Sequence, residues 1–147
     1  TQGVSSAASD VYKRQTMDNS TVMQMGEDAE GFMGVMPYRY YYDDAADAPM
    51  LKKIREMRPQ YQSTGYMQGF LAAMLFTEVA KRTLDAGKEL TSANMKAALE
   101  GIKDFDTGGL IGVPISIKGN SIPVGRIYRA DTKQKQMVPA SDWIVLQ

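Results

Sequence analysis

Cysteine and histidine are both absent from the 147 residues of this chain. Without cysteine there are no disulfides and no thiolate nucleophile. Without histidine the commonest metal ligand and the usual general base near neutral pH are gone. Neither sign of charge predominates, since 17 basic residues meet 17 acidic ones. Binding of nucleic acid by phosphate neutralisation therefore has no support. Long apolar runs are missing too. The longest, Phe70 to Phe76, falls well short of the roughly 20 residues of a membrane-spanning helix.

What is present is organised around Gly65 to Gly109. Tyr66, Met67, Phe70, Leu71, Met74, Leu75 and Val79 recur at steps of three and four, with Gln68, Thr77, Glu78, Lys81, Arg82 and Asp85 between them. That spacing predicts an amphipathic helix over about 65–86. Gly87 stands where a left-handed residue would end it. Thr91 or Ser92 then caps a second helix that carries Met95, Ala98, Leu99 and Ile102 inward. A turn built on Asp104-Phe-Asp-Thr-Gly-Gly109 leads out of this hairpin.

Elsewhere the signals are shorter. Residues 1–15 are small, polar and aperiodic, and are read as a disordered, non-native lead. Phe32 to Met36 is a buried-strand run ending at Pro37, continued by Tyr38 to Tyr42. Four tyrosines in five positions suit either a stacking surface for a ligand or packing at a domain boundary. Asp47, followed by Ala48 and Pro49, is the expected N-cap of a helix to about Tyr61, with Met50, Leu51, Ile54 and Met57 inward. Short strands are expected at Val113–Ile117, Gly125–Ala130 and Met137–Val138, separated by turns at Lys118 and Lys133–Lys135. Helices followed by short strands point to an α/β or α+β domain, and the length suffices for one core.

The chemical motifs are weak. Asp43, Asp44 and Asp47 lack the alternating ligands and distant glutamate of a calcium loop. Asp106-Thr107-Gly108 matches the three-residue signature of retroviral-type aspartic proteases, but it follows some 50 residues of helical pattern, and Gly109 stands where Ser or Ala is usual. A protease using Asp106 is kept only as a remote alternative.

The segments Tyr66-Met67-Gln68-Gly69-Phe70, Leu90 to Leu110 and Ser141-Asp142-Trp143-Ile144 resemble the C-terminal part of the branched-chain amino-acid binding protein family. So does Ala29-Glu30-Gly31-Phe32 through Met36-Pro37. These proteins are the extracytoplasmic substrate-binding components of ABC transporters, and the resemblance runs from Met17 to Ile144. It implies an α/β chain with a partial type I periplasmic-binding-protein fold: an incomplete two-lobed clamshell of three-layer α/β/α lobes. Residues of about 16–40 and 118–147 would belong to the second lobe and about 41–117 to the first, with crossings near Pro37 to Tyr41 and Gly112 to Ser116.

The resemblance further implies a non-enzymatic protein, periplasmic or otherwise extracytoplasmic, without cofactor or metal. It would capture a small solute, such as a branched-chain or other amino acid or an aromatic acid, and present it to ABC permease subunits as a monomer when full length. No signal peptide is recognisable, so the coding sequence is expected to continue upstream. In the family, the start of the helix aligned with 65–86 faces the cleft. Tyr66, with Ser63 and Thr64, is therefore the ligand-binding candidate; core packing of Tyr66 beside Met67 and Phe70 is the competing reading. Helices made to cover an absent sheet would expose an apolar stripe through Phe70 and Met74. A ligand-sensing domain of the same fold in a receptor or regulator is the functional alternative.

Overall fold

The computed structural model describes residues 17–119 and 121–146; the lead expected at 1–15 lies outside them. The described chain opens with α1 (Asn19–Met23), capped by Asp18, and a short 3-10 helix at Gly26–Ala29. Strand β1 (Met33–Met36) follows. Three helices come next: α2 (Pro49–Met57), α3 (Thr64–Asp85) and α4 (Ser92–Glu100). The chain ends in β2 (Val124–Asp131) and β3 (Gln136–Val145). The sheet has the order β1-β2-β3 with both pairings antiparallel, so β2 lies between the other two.

The helix ends follow from local chemistry. Ser63 caps α3 by accepting from the Tyr66 amide, Thr91 caps α4 by accepting from the Asn94 amide, and Gly87 takes φ +68° behind α3. Gly87 and Thr91 match their sequence signals; the Ser63 cap was not anticipated. Helix α2 departs from expectation at both ends. It stops at Met57 because Arg58 precedes Pro59, and a residue before proline is pushed out of the helical region. Its N-cap is Ala48, without a side-chain bond; Asp47 instead binds Arg39.

Two expected strand segments are not strands. Tyr38 to Tyr42 leaves the sheet after Pro37 and runs as irregular backbone. Among the described residues Val113–Ile117 forms no ladder: Ile115 makes an isolated bridge to Phe105 with N–H···O distances of 2.8 and 2.9 Å, and the Ile117 amide donates to the Ile102 carbonyl at 3.1 Å. Pro114 brings no N–H to a ladder, which explains the failure to extend. The third strand, in contrast, is much longer than the two residues expected and takes in Trp143 and Ile144.

The core lies under the sheet's inner face. Met36, Tyr128, Ala130 and Met137 point into it, met by Leu51 and Ile54 of α2, Met67 and Leu71 of α3, and Leu110, Ile111 and Ile115. Helix α3 does not bury a single stripe. Met67 and Leu71 enter the core and Val79 and Thr83 are buried further along, while Tyr66, Phe70, Met74 and Leu75 are half-buried. Phe76 and Leu84 remain 64% and 57% exposed. The exposure expected at Phe70 and Met74 is only partial, since both pack against the core; the exposed apolar residues of this helix are Phe76 and Leu84 instead.

Trp143 packs against Gly112 so closely that a Cβ there would lie 1.9 Å from its Nε1. That Nε1 is buried and has no hydrogen-bond partner among the described residues. The Arg126 guanidinium covers the ring at 5.7 Å and the Tyr128 ring at 5.9 Å. A buried N–H without a partner is a desolvation cost that phenylalanine avoids, offsetting part of the packing it loses, so Trp143→Phe is expected to cost about 1 kcal/mol, against about 3–5 for Trp143→Ala. Urea unfolding followed by far-ultraviolet circular dichroism checks this; equal costs would refute it.

Candidate functional site

The three residues singled out in the sequence form the first turn of α3 and its cap. Ser63 is exposed and its Oγ accepts from the Tyr66 amide at 3.3 Å. Thr64 is buried, and its amide and its Oγ1 both donate to Oδ2 of Asp18 at 2.8 Å. The Thr64 carbonyl accepts from the Tyr38 hydroxyl at 3.3 Å. Tyr66 is half-buried beside Phe70, with ring centroids 6.4 Å apart, and its hydroxyl makes no hydrogen bond among the described residues. Ser63 and Tyr66 thus keep groups at the surface, while the hydroxyl of Thr64 is turned inward.

Asp18 is the residue that the sequence did not flag. Its Oδ1 accepts from the amide and hydroxyl of Ser20 at 3.0 and 2.5 Å, while Oδ2 holds Thr64. Burial acts to raise the pKa of this carboxyl, but the hydrogen bonds from Ser20 and Thr64 outweigh it and leave the pKa below the ordinary value. An acid whose folded pKa is lowered adds stability above its unfolded pKa, and that stability is lost as pH falls through the folded one. The signal available was the local Asp18-Asn-Ser20 cap motif; nothing local announces the partner 46 residues on.

Beside this turn lies a cleft of about 300 Å³, lined by Pro37, Tyr38, Gln68, Leu71, Ser121 and Ile122 among others. Every lining residue is uncharged, and Tyr66 is not one of them. The cleft wall thus suits the apolar or neutral part of a molecule.

The tyrosine segment resolves to packing. Tyr38, Tyr40 and Tyr41 are buried. The Tyr40 hydroxyl donates to the Met17 carbonyl, that of Tyr41 to the Arg58 carbonyl, and that of Tyr42 to Asn19 Oδ1. Tyr40 stacks on Tyr42 at 5.5 Å and meets Tyr128 edge-on at 4.8 Å. Desolvation drives the hydroxyl pKa values of Tyr40, Tyr42 and Tyr128 far upward, so these groups stay neutral. Among them the buried Asp43 accepts from the Tyr40 amide and the Tyr128 hydroxyl, and burial raises its pKa against those bonds.

Asp106 is exposed and its Oδ1 accepts from the Gly108 amide at 2.7 Å, which is turn chemistry. Among the described residues no group of three carboxylates is placed to hold a metal ion. None of their helices is long and apolar enough to cross a membrane.

The three-stranded antiparallel sheet shares one core with the helices, and irregular chain leaves the sheet at Pro37. A branched chain amino acid ABC transporter from Thermus thermophilus, solved with bound valine, matches 87% of this chain with a TM-score of 0.68 at 20% identity. The chain spans 37% of that protein's length, so it corresponds to part of the fold. A model of the periplasmic binding protein family matches residues 2–136. The chain belongs to the periplasmic binding protein family. Among curated proteins the sequence finds no match.

Proposed function

We propose that this chain is part of an extracytoplasmic solute-binding protein that captures a small solute by hinge closure and presents it to an ABC permease. The observation that carries the reading is the family match across residues 2–136. A binder of this type needs no acid–base pair or nucleophile, only two lobes that both touch the solute when shut. The solute is small, such as a branched-chain or other amino acid, or an aromatic acid; the uncharged cleft beside the turn suits an apolar part of it. On this reading the protein is monomeric, works in the periplasm and performs no chemistry. Residues of about 16–40 and 118–147 serve one lobe and about 41–117 the other.

The ligand-facing group is the first turn of α3. Tyr66 offers a half-buried ring and a hydroxyl uncommitted among the described residues, Ser63 an exposed hydroxyl, and Thr64 the buried end that fixes the turn. Calorimetry on the complete gene product with L-valine, L-leucine, other aliphatic amino acids and aromatic acids tests this. At least one is expected to bind in the micromolar range or tighter, near –8 kcal/mol, and Tyr66→Ala to weaken that binding about tenfold. Silence across the whole set would sink the reading.

A further inference from the structure

We propose that Asp18 is the positioning residue of the candidate binding turn, a strut that fixes the first turn of α3 to the sheet. The inference rests on the reading that this turn faces the solute. The contact of Asp18 with Thr64 is not a local cap, because 46 residues separate the two. Helix α3 already has a cap in Ser63, which serves the Tyr66 amide. Asp18 takes a different free N–H of the turn, that of Thr64, together with its hydroxyl. Two bonds converging on one carboxylate oxygen define the turn's direction as well as its distance.

The other end of the strut is braced in turn. The Met17 carbonyl accepts from Tyr40, and Asn19 Oδ1 accepts from Tyr42 and from the Met137 amide of β3. Asn19 Nδ2 donates to the Lys135 carbonyl at 3.1 Å. Residues on both sides of Asp18 are therefore tied to the aromatic segment and to β3 or the turn before it. A continuous line of hydrogen bonds runs from β3 through Asn19 and the adjoining Asp18 to Thr64, two residues from Tyr66. Among the described residues no cation takes part, so there the line depends on geometry and on desolvation around Thr64. Movement of the sheet relative to α3 must either carry the turn with it or break the Asp18–Thr64 pair.

The test uses the complete gene product with Asp18→Ala, Asp18→Asn and Thr64→Val, read by amide hydrogen exchange and by L-valine calorimetry. Asp18→Ala is expected to speed exchange of the Thr64 amide about tenfold or more, as loss of a charge-assisted bond implies, and to weaken L-valine binding by a similar factor. Amides of β2, such as Tyr128, should keep their protection. Asp18→Asn, which retains an acceptor oxygen, should restore most of the protection at Thr64. Thr64→Val should weaken L-valine binding without freeing the amide. Unchanged exchange at Thr64 in Asp18→Ala overturns the strut, and so does a uniform rise across α3 and β2, the sign of a purely structural role. If the parent protein ignores L-valine but binds another solute of the panel, that solute replaces it as the probe. If it binds none, the solute reading falls while the exchange pattern still decides whether Asp18 holds the turn.

Discussion

Gly109→Ala is expected to destabilise the chain by about 4 kcal/mol or more, enough to unfold a domain of ordinary stability. Two costs combine. Gly109 has φ +80°, and a side chain in that left-handed region costs roughly 1–2 kcal/mol. A Cβ there would also stand 2.5 Å from the Ala48 Cα and 2.6 Å from the Asp47 carbonyl oxygen. Both obstacles are backbone, so no rotamer change relieves them. Nor can the neighbouring loop retreat without loss: the Gly109 carbonyl accepts from Arg39 at 2.8 Å, and the Gly108 carbonyl accepts from the Met50 amide at 3.0 Å. Gly87 provides the comparison. Its φ is +68° but its Cβ would meet nothing within 4 Å, so Gly87→Ala should cost only about 1–2 kcal/mol. Denaturation midpoints of the two variants, read by circular dichroism, separate conformational strain from collision. Equal losses would show the close backbone approach at Gly109 to be inconsequential.

The elements legible in the sequence are those whose signals are local. Helix α3, its end at Gly87, the Thr91 cap and strand β2 each follow from a few adjacent residues, and the structure has them within a residue or two of expectation. Where a distant group competed, the sequence misled. Asp47 has the composition and position of an N-cap, but the Arg39 guanidinium eight residues earlier captures its carboxylate. Tyr38 to Tyr42 has strand composition, yet their hydroxyls bind the chain at Thr64, Met17, Arg58 and Asn19 and hold the segment off the sheet. Val113–Ile117 is apolar because its Ile115 fills the core, not because it joins a ladder. The candidate site divides in the same way. Ser63, Thr64 and Tyr66 came from the resemblance and do share one turn. Asp18, which fixes that turn, sits in a segment without hydrophobic period, and its role depends on a fold-level contact that no window of residues contains.

The second large effect is expected at Arg39, the charged residue buried where the chain leaves the sheet. Its Nε donates to the Gly109 carbonyl at 2.8 Å and one amino nitrogen to the Asp44 carbonyl at 3.1 Å. The other amino nitrogen meets both oxygens of Asp47 at 3.0 and 2.8 Å. The arginine side chain is 6% exposed but that of Asp47 is 70% exposed, so the two partners differ in what their removal costs. Asp47→Asn weakens a pair that water already screens and should cost about 1 kcal/mol or less. Arg39→Met strips donors from two carbonyl groups, loosens the glycine turn and should cost about 3–5 kcal/mol. Arg39→Lys is not expected to restore this. One ammonium cannot serve the Gly109 carbonyl, the Asp44 carbonyl and the Asp47 carboxylate, which the planar guanidinium reaches in three directions. Urea unfolding of the three variants is the measurement, and parity between Asp47→Asn and Arg39→Met would place the energy in the ion pair instead. Because residues 37–41 form the proposed crossing between lobes, the same bonds would set the stiffness of the hinge. A partly folded Arg39→Lys protein should then lose solute affinity at denaturant concentrations where the parent still binds.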